Sequence, residues 1–301
     1  IQRGTITQPA DGLTVVAVQG FKYQGRGSIK KPARLVAFGP RGDTRWVYNG
    51  SNVGASWFYD VDPLPTGNLL VTAANRQGTV VFGLDPDTRE PVWVEQLSIH
   101  DTHDIDLLPG NRLLVANMRQ YNATTEQNND RLLIYNMTTD RVEWEWLLRE
   151  HYPREGGGAY SDDWTHLNDV DRIAPGRYLA SVRNFDQVIV VDRETGEITQ
   201  RLGRDGAHDI LYEQHNPQYL EGEDGRPTIL VADSENNRIV EYEQRNGDWT
   251  QTWQLTGGLT WPRDADRLPN GHTLIVDSLN HRVMEVNPTG RIVGEVYAPW
   301  G

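Results

Sequence analysis

Short apolar runs separated by turn residues recur along the whole chain, and one phrase repeats: a glycine at a tight turn, followed at once by an apolar run. It stands as "DGLTVVAV" at Gly12, "PTGNLLVTA" at Gly67, "LPGNRLLVAN" at Gly110, "APGRYLASV" at Gly176, "EDGRPTILVAD" at Gly225 and "LPNGHTLIVD" at Gly271. After each comes another apolar run, with turns such as "DPDTRE", "NMTTDR", "DRETGE" and "NPTGR" between runs. No stretch sustains a helical period, so each unit reads strand, glycine turn, strand, loop, strand, turn, strand. Six such units at roughly 40 to 65 residues predict an all-β chain: one six-bladed β-propeller of four-stranded antiparallel blades over residues 1–301. The strand before each glycine turn is the innermost of its blade. These strands are expected near residues 5–10, 59–64, 103–108, 168–173, 215–220 and 264–268.

Aligned on the turn, four inner strands read "FYDVDPLP", "THDIDLLP", "LNDVDRIAP" and "PRDADRLP", each with Asp-x-Asp. The residue before the first Asp is Tyr59, His103, Asn168 and Arg263 in turn, and "EQHNPQYL" in the fifth blade puts His215 there, with Asn216 in place of the Asp. Residues at one register of successive inner strands face one level of the channel mouth. His166 precedes Asn168 by two, and Arg183 ends the following strand. Three histidines, an Asn, a Tyr and two arginines therefore converge, a set of donors suited to a small tetrahedral anion. The arginines, and the lack of a carboxylate partner, argue against a metal among these histidines. The Asp-x-Asp pairs read as structural acceptors of backbone N–H groups between blades. His208, in "GAHDILY", also precedes Asp-Ile and competes with His215 for the fifth-blade place.

At these residues the chain resembles the arylsulfate sulfotransferase family, through "THDIDLLPGNRLL", through "DDWTHLNDVDRI" followed by "LASVRNFDQVIVVDRETGEI", and through "QHNPQYL" followed by "ILVADSENNRIVEY". Known members are six-bladed propellers that move a sulfuryl group from a phenolic sulfate ester to another phenol, without a nucleotide donor, through a sulfated histidine. The resemblance implies His215 as nucleophile, with His103, His166, Asn168 and Arg183 holding the sulfate; the register adds Tyr59 and Arg263 as substrate-binding residues beside them at the mouth. Protonation of the leaving phenol falls to His103 or His166. It implies a phenolic sulfate donor, a phenol acceptor and no cofactor. "WPRDADRLPNGHTLIVDSLNHRVMEV" in the last blade looks instead like an NHL repeat, common in binding propellers. A rival reading is therefore a non-catalytic exported propeller for binding, self-association or surface assembly. A metal-dependent, lactonase-like hydrolase is a third.

Composition narrows the setting. A net charge of −13 and a pI near 5.0 exclude a nucleic-acid surface, which needs clustered cations. Of the 29 basic residues only Lys22, Lys30 and Lys31 are lysines, and an acidic, lysine-poor surface suits high salt, where its self-repulsion is screened. With no cysteine there is no disulfide framework, and Asn49, Asn122 and Asn136 head Asn-x-Ser/Thr triplets that accept glycans in exported chains. These features lead us to expect an extracellular or cell-surface protein of a halophilic archaeon. On that expectation, dialysis from high salt into dilute buffer should diminish the circular dichroism of the fold and lower its melting temperature. Unchanged spectra and melting would count against it.

Overall fold

The computed structural model describes residues 4–9, 12–19, 21–24, 27–30 and 33–297. Its strands form consecutive antiparallel meanders, one per blade, as the repeat predicts. Blade 2 holds Trp57–Pro63, Leu69–Asn75, Gly78–Leu84 and Pro91–Leu97. Blade 3 holds Ile105–Leu108, Arg112–Asn117, Arg131–Asn136 and Arg141–Leu147, with the small ribbon Tyr121–Asn122 and Gln127–Asn128 inserted. Blade 4 holds Leu167–Ala174, Arg177–Val182, Gln187–Asp192 and Ile198–Gly203. Blade 5 holds His215–Glu221, Pro227–Asp233, Arg238–Arg245 and Asp248–Thr256, and blade 6 Pro262–Arg267, Thr273–Asp277, Arg282–Val286 and Ile292–Tyr297.

Blade 1 departs from the expectation. Among the described residues it has three strands, Thr14–Val18, Arg34–Phe38 and Thr44–Asn49, with the hairpin Phe21–Gln24 and Gly27–Lys30 between the first two. The inner strand expected near 5–10 is not formed by residues 4–9, and residue 10 lies outside the described residues. Instead the N–H groups of Thr7 and Gln8 donate to the Val293 carbonyl in the outer strand of blade 6, at 2.8 and 3.1 Å. Pro9 has no N–H for a ladder, which weakens this stretch as a strand. The joint is close-packed: Gly42, at φ +69°, sits where a Cβ would come within 2.8 Å of Ile6 and 2.9 Å of Val296.

The apolar core is divided among the seams between blades, because each twisted sheet buries one face on its neighbour. Tyr48, Phe58 and Phe82 fill the seam of blades 1 and 2, while Leu70, Ile105 and Leu133 fill that of blades 2 and 3. Trp164, Tyr178 and Phe185 occupy the next seam, Val190 and Val231 the one after, and Ala265 and Ile275 pack blade 6 on blade 5. Each such apolar side chain contributes about 1.5–3 kcal/mol when fully buried. Tryptophans on outer strands tie blades together: Trp146 Nε1 donates to the Gly196 carbonyl at 2.9 Å, Trp249 to Arg201 at 2.8 Å and Trp253 to Pro288 at 3.0 Å. The outer turns are held by the residue that opens them. Asp85, Asn136 and Asp192 each accept from the backbone N–H groups two and three residues on, which is why Asp and Asn recur there.

Candidate active site

The inner strands do not pair evenly at the mouth. Pairing slips between Phe58 and Asp60, between Leu167 and Asp169, and between Pro262 and Asp264, leaving Tyr59, Asn168 and Arg263 as the unmatched residues. A bulge leaves its extra residue free of the ladder and re-aims the side chain. In blade 3 the regular strand starts only at Ile105, so His103 lies in the irregular stretch above it. In blade 5 His215 itself pairs with Ala232, and the slip falls at Asn216 and Pro217. The five residues thus come together: Tyr59 stacks on His103 at 4.3 Å between ring centres, and His103 meets His166 edge-on at 5.1 Å.

A second tier sits above the first, built by left-handed backbone. His166, Glu213 and Trp261, each three residues before the aligned Asp or Asn, have φ of 44°, 47° and 51°. That conformation is costly for residues with a Cβ, and it persists where the surroundings enforce it. Trp261 is fixed by its backbone N–H on Asn237 Oδ1 at 2.8 Å and by its indole N–H on Glu235 Oε1 at 3.0 Å. Its ring stands edge-on to His215 at 5.4 Å, with the Arg263 guanidinium 5.2 Å from its centre. His166 therefore reaches the mouth by a left-handed turn rather than by strand alternation with Asn168. Its Nδ1 lies 2.8 Å from Asp163 Oδ2, and Arg119 joins Asp163 to Asp101. Glu213 accepts from Arg183, which opens the short helical turn Arg183–Phe185.

His215 is fully enclosed, at 1% exposure, and its Nδ1 is 2.8 Å from Ser234 Oγ. Ser234 donates its own proton to the Pro262 carbonyl at 2.7 Å, so it accepts from His215. This fixes the tautomer with the proton on Nδ1 and the lone pair on Nε2. Burial, then the charges of Arg263 and Arg183, hold the His215 pKa well below the ordinary value, and burial and His166 do the same for His103. Against the opposing push of burial, His166 and Arg119 draw Asp163 down to about 2, so it stays ionised beside the imidazole. Arg263 is drawn down to about 10 by burial and by Arg183, and remains charged at neutral pH. Buried polar atoms at the mouth lack protein partners: His103 Nδ1, Asn168 Oδ1 and Arg183 Nε. Asn168 Nδ2 is held by the Gln214 carbonyl at 2.9 Å.

Six of the sequence-derived mouth residues, Tyr59, His103, His166, Arg183, His215 and Arg263, thus belong to one electrostatic and aromatic cluster, while Asn168 is held by the Gln214 carbonyl next to His215. His208 does not: it is stacked on Tyr212 at 3.8 Å, half exposed, with Asp186 at 3.3 Å, in the loop before the inner strand of blade 5. Asp101, Arg119, Asp163, Glu213, Ser234 and Trp261 were not singled out by sequence. For Glu213 and Trp261 the signal existed, since they share the alignment column of His166. The three Asn-x-Ser/Thr residues lie at turns away from this cluster. Asn49 and Asn122 are exposed, whereas half-buried Asn136 donates to Glu143 at 2.6 Å, a bond that a glycan would displace.

A family model described as Arylsulfotransferase (ASST) matches residues 10–256. Among solved structures, a protein of unknown function from Bacteroides caccae is similar at a TM-score of 0.61 and 14% identity, over 88% of this chain and 89% of the other. A catalytically inactive virginiamycin B lyase from Staphylococcus aureus with quinupristin is similar at a TM-score of 0.54 and 10% identity, over 96% and 89%. At these identities the likeness is one of fold. No curated protein matches the chain.

The hydrogen-bond order at His215 is open to nitrogen NMR of the imidazole. His215 should remain neutral with its proton on Nδ1 as the pH falls through about 6.5, where an ordinary histidine gains its second proton. Ser234→Ala should mix the two tautomers. A normal titration of His215 would refute the assignment.

Proposed function

This chain belongs to the arylsulfotransferase family, and from that premise and the form of the mouth we propose that it transfers a sulfuryl group between phenols through His215. The observation that carries the proposal is the enclosed His215 imidazole, whose Nδ1 is bound to Ser234 so that its lone pair falls on Nε2, with Arg263 and Arg183 close enough, together with burial, to disfavour its protonation. Nε2 attacks the sulfur of an aryl sulfate; the nitrogen–sulfur bond forms as the bond from sulfur to the aryl oxygen breaks, and the electron pair leaves on the phenolate. Arg263, Arg183, Asn168 and His103 surround the sulfuryl oxygens and stabilise their charge as it shifts.

Between the two candidates for proton transfer to the phenolate, His166 has the better support. Burial, with Arg183 and Arg119, holds its pKa below the ordinary value, but the bond from its Nδ1–H to ionised Asp163 pulls the other way, orients the ring and leaves Nε2 to give or take the proton. His103 has no such carboxylate, and positive neighbours oppose its protonation. In the second half, His166 accepts the proton of an incoming phenol, whose oxygen attacks sulfur and releases neutral His215. Tyr59 and Trp261 flank this path and suit an aryl ring.

With a chromogenic aryl sulfate and a phenol acceptor, wild type should turn over with ping-pong kinetics, and His215→Ala should lose transfer altogether while keeping its fold. Intact mass after quenching with donor alone should add one sulfuryl group to wild type and none to that variant. Asp163→Asn should lower kcat by about 10²–10⁴, the usual worth of a positioned acid–base group, while the sulfuryl adduct still forms with activated donors. Absence of adduct and turnover across aryl sulfates would leave the binding-module reading.

A further inference from the structure

Beneath the mouth, four inner strands each send two aspartates into the channel: Asp60 and Asp62, Asp104 and Asp106, Asp169 and Asp171, Asp264 and Asp266. The sequence suggests that these carboxylates serve the backbone of the next blade, and two of them do. Asp104 accepts from Val170 N–H and Asp106 from Arg172 N–H, both at 2.8 Å. Blade 5 has Asn216 and Gln218 at the corresponding positions, and Gln218 Oε1 accepts from Arg267 N–H at 2.6 Å. A neutral amide thus performs the same backbone duty. The ring does not need eight acids for its bonding, and gathering them in one channel is costly.

The geometry gives them something to bind. One oxygen each from Asp60, Asp62 and Asp104 lies within 4.8 Å of the others, the separation two oxygens reach when both coordinate a calcium ion at about 2.4 Å. Independently, Asp169, only 5% exposed and at the same register as Asp60 and Asp104, has an Oδ2 with no hydrogen-bond partner. We propose that Asp60, Asp62 and Asp104, with Asp169 facing them, hold a divalent cation of the calcium type in the channel directly below the anion-binding mouth. Calcium suits an all-oxygen site completed by water, because it accepts six to eight ligands in irregular geometry, whereas magnesium demands a near-regular octahedron. Asp60 and Asp62 are only half-buried, so the channel gives the ion a way in.

The ion also serves the mouth, since an anion approaching Arg263 and Arg183 would otherwise sit above a column of negative charge.

Elemental analysis of the purified protein, and calorimetric titration of chelator-treated wild type with calcium chloride, test this without reference to transfer activity. One equivalent of calcium should bind. The melting temperature should rise by roughly 5–10 °C at calcium about 100-fold above Kd. The double variant Asp62→Asn with Asp104→Asn should bind no calcium and should melt above metal-free wild type, because repulsion is relieved. If that variant does not fold, Asp62→Asn alone should weaken calcium binding at least about tenfold. Chelator-treated wild type that neither binds calcium nor shifts its melting, or a folded double variant that binds as wild type does, would overturn the proposal.

Discussion

Where the inner strand of a blade reaches the channel mouth, its pairing with the next strand must stop, and the way it stops decides what the mouth contains. In blades 2, 4 and 6 the ladder skips one residue just before the first channel aspartate. That residue falls at a shift in the register, where a bulge re-aims the side chain. The skip falls at the same place in these three blades, and one residue later in blade 5. Sequence then varies only the residue: a phenol at Tyr59, an amide at Asn168, a guanidinium at Arg263. The left-handed residues above add a second, equally repeated position, filled by His166, Glu213 and Trp261. A set of dissimilar side chains is thereby placed by one backbone device used several times.

Charge is layered along the same axis. At the top, Arg119 and Arg183 are met by Asp101, Asp163 and Glu213, which fix their orientation. Arg263 is tied instead to the face of Trp261 and keeps its positive charge for whatever enters. Directly below lie the channel aspartates, each first Asp following a mouth residue in the chain. Blade 5 replaces both aspartates, with Asn216 and Gln218, and next to Asn216 the His215 imidazole has no adjacent carboxylate in the chain to draw a proton onto it. The exception in the repeat coincides with the residue proposed as nucleophile, which would have to stay neutral.

Much of this was legible in the chain. Glycine turns fixed the number of units, and Asp-x-Asp fixed the register, because both are local patterns that a strand must repeat to build a blade. The choice of His215 over His208 was not local: each precedes a plausible strand, and only the run of pairing from His215 to Ala232 separates them. The expected inner strand near 5–10 failed because apolar alternation is weak there and Pro9 withholds a donor, leaving Thr7 and Gln8 to bond to blade 6. Ser234 lies 19 residues from His215 and belongs to the neighbouring strand's exit, so no spacing along the chain could join them. Backbone handedness at Trp261 leaves no mark on composition at all. What sequence withholds here is chiefly which non-adjacent residues hold the candidate ones in place.

One arrangement of charge can serve both halves of the proposed transfer. Before reaction, Arg263 and Arg183, together with burial, disfavour a proton on His215 and keep Nε2 available. Attack on sulfur places positive charge on the imidazole, which those same arginines would oppose if it came alone. In the proposed intermediate it would not come alone, because a sulfuryl group on Nε2 would bring negative oxygens for the guanidinium groups to hold. On that proposal a proton and a sulfuryl group would be treated oppositely by the same site: the first disfavoured as bare charge, the second held by its oxygens. Ser234 would take no part in that discrimination; by keeping the Nδ1 proton in place it leaves Nε2 as the nitrogen open to attack in the proposed transfer.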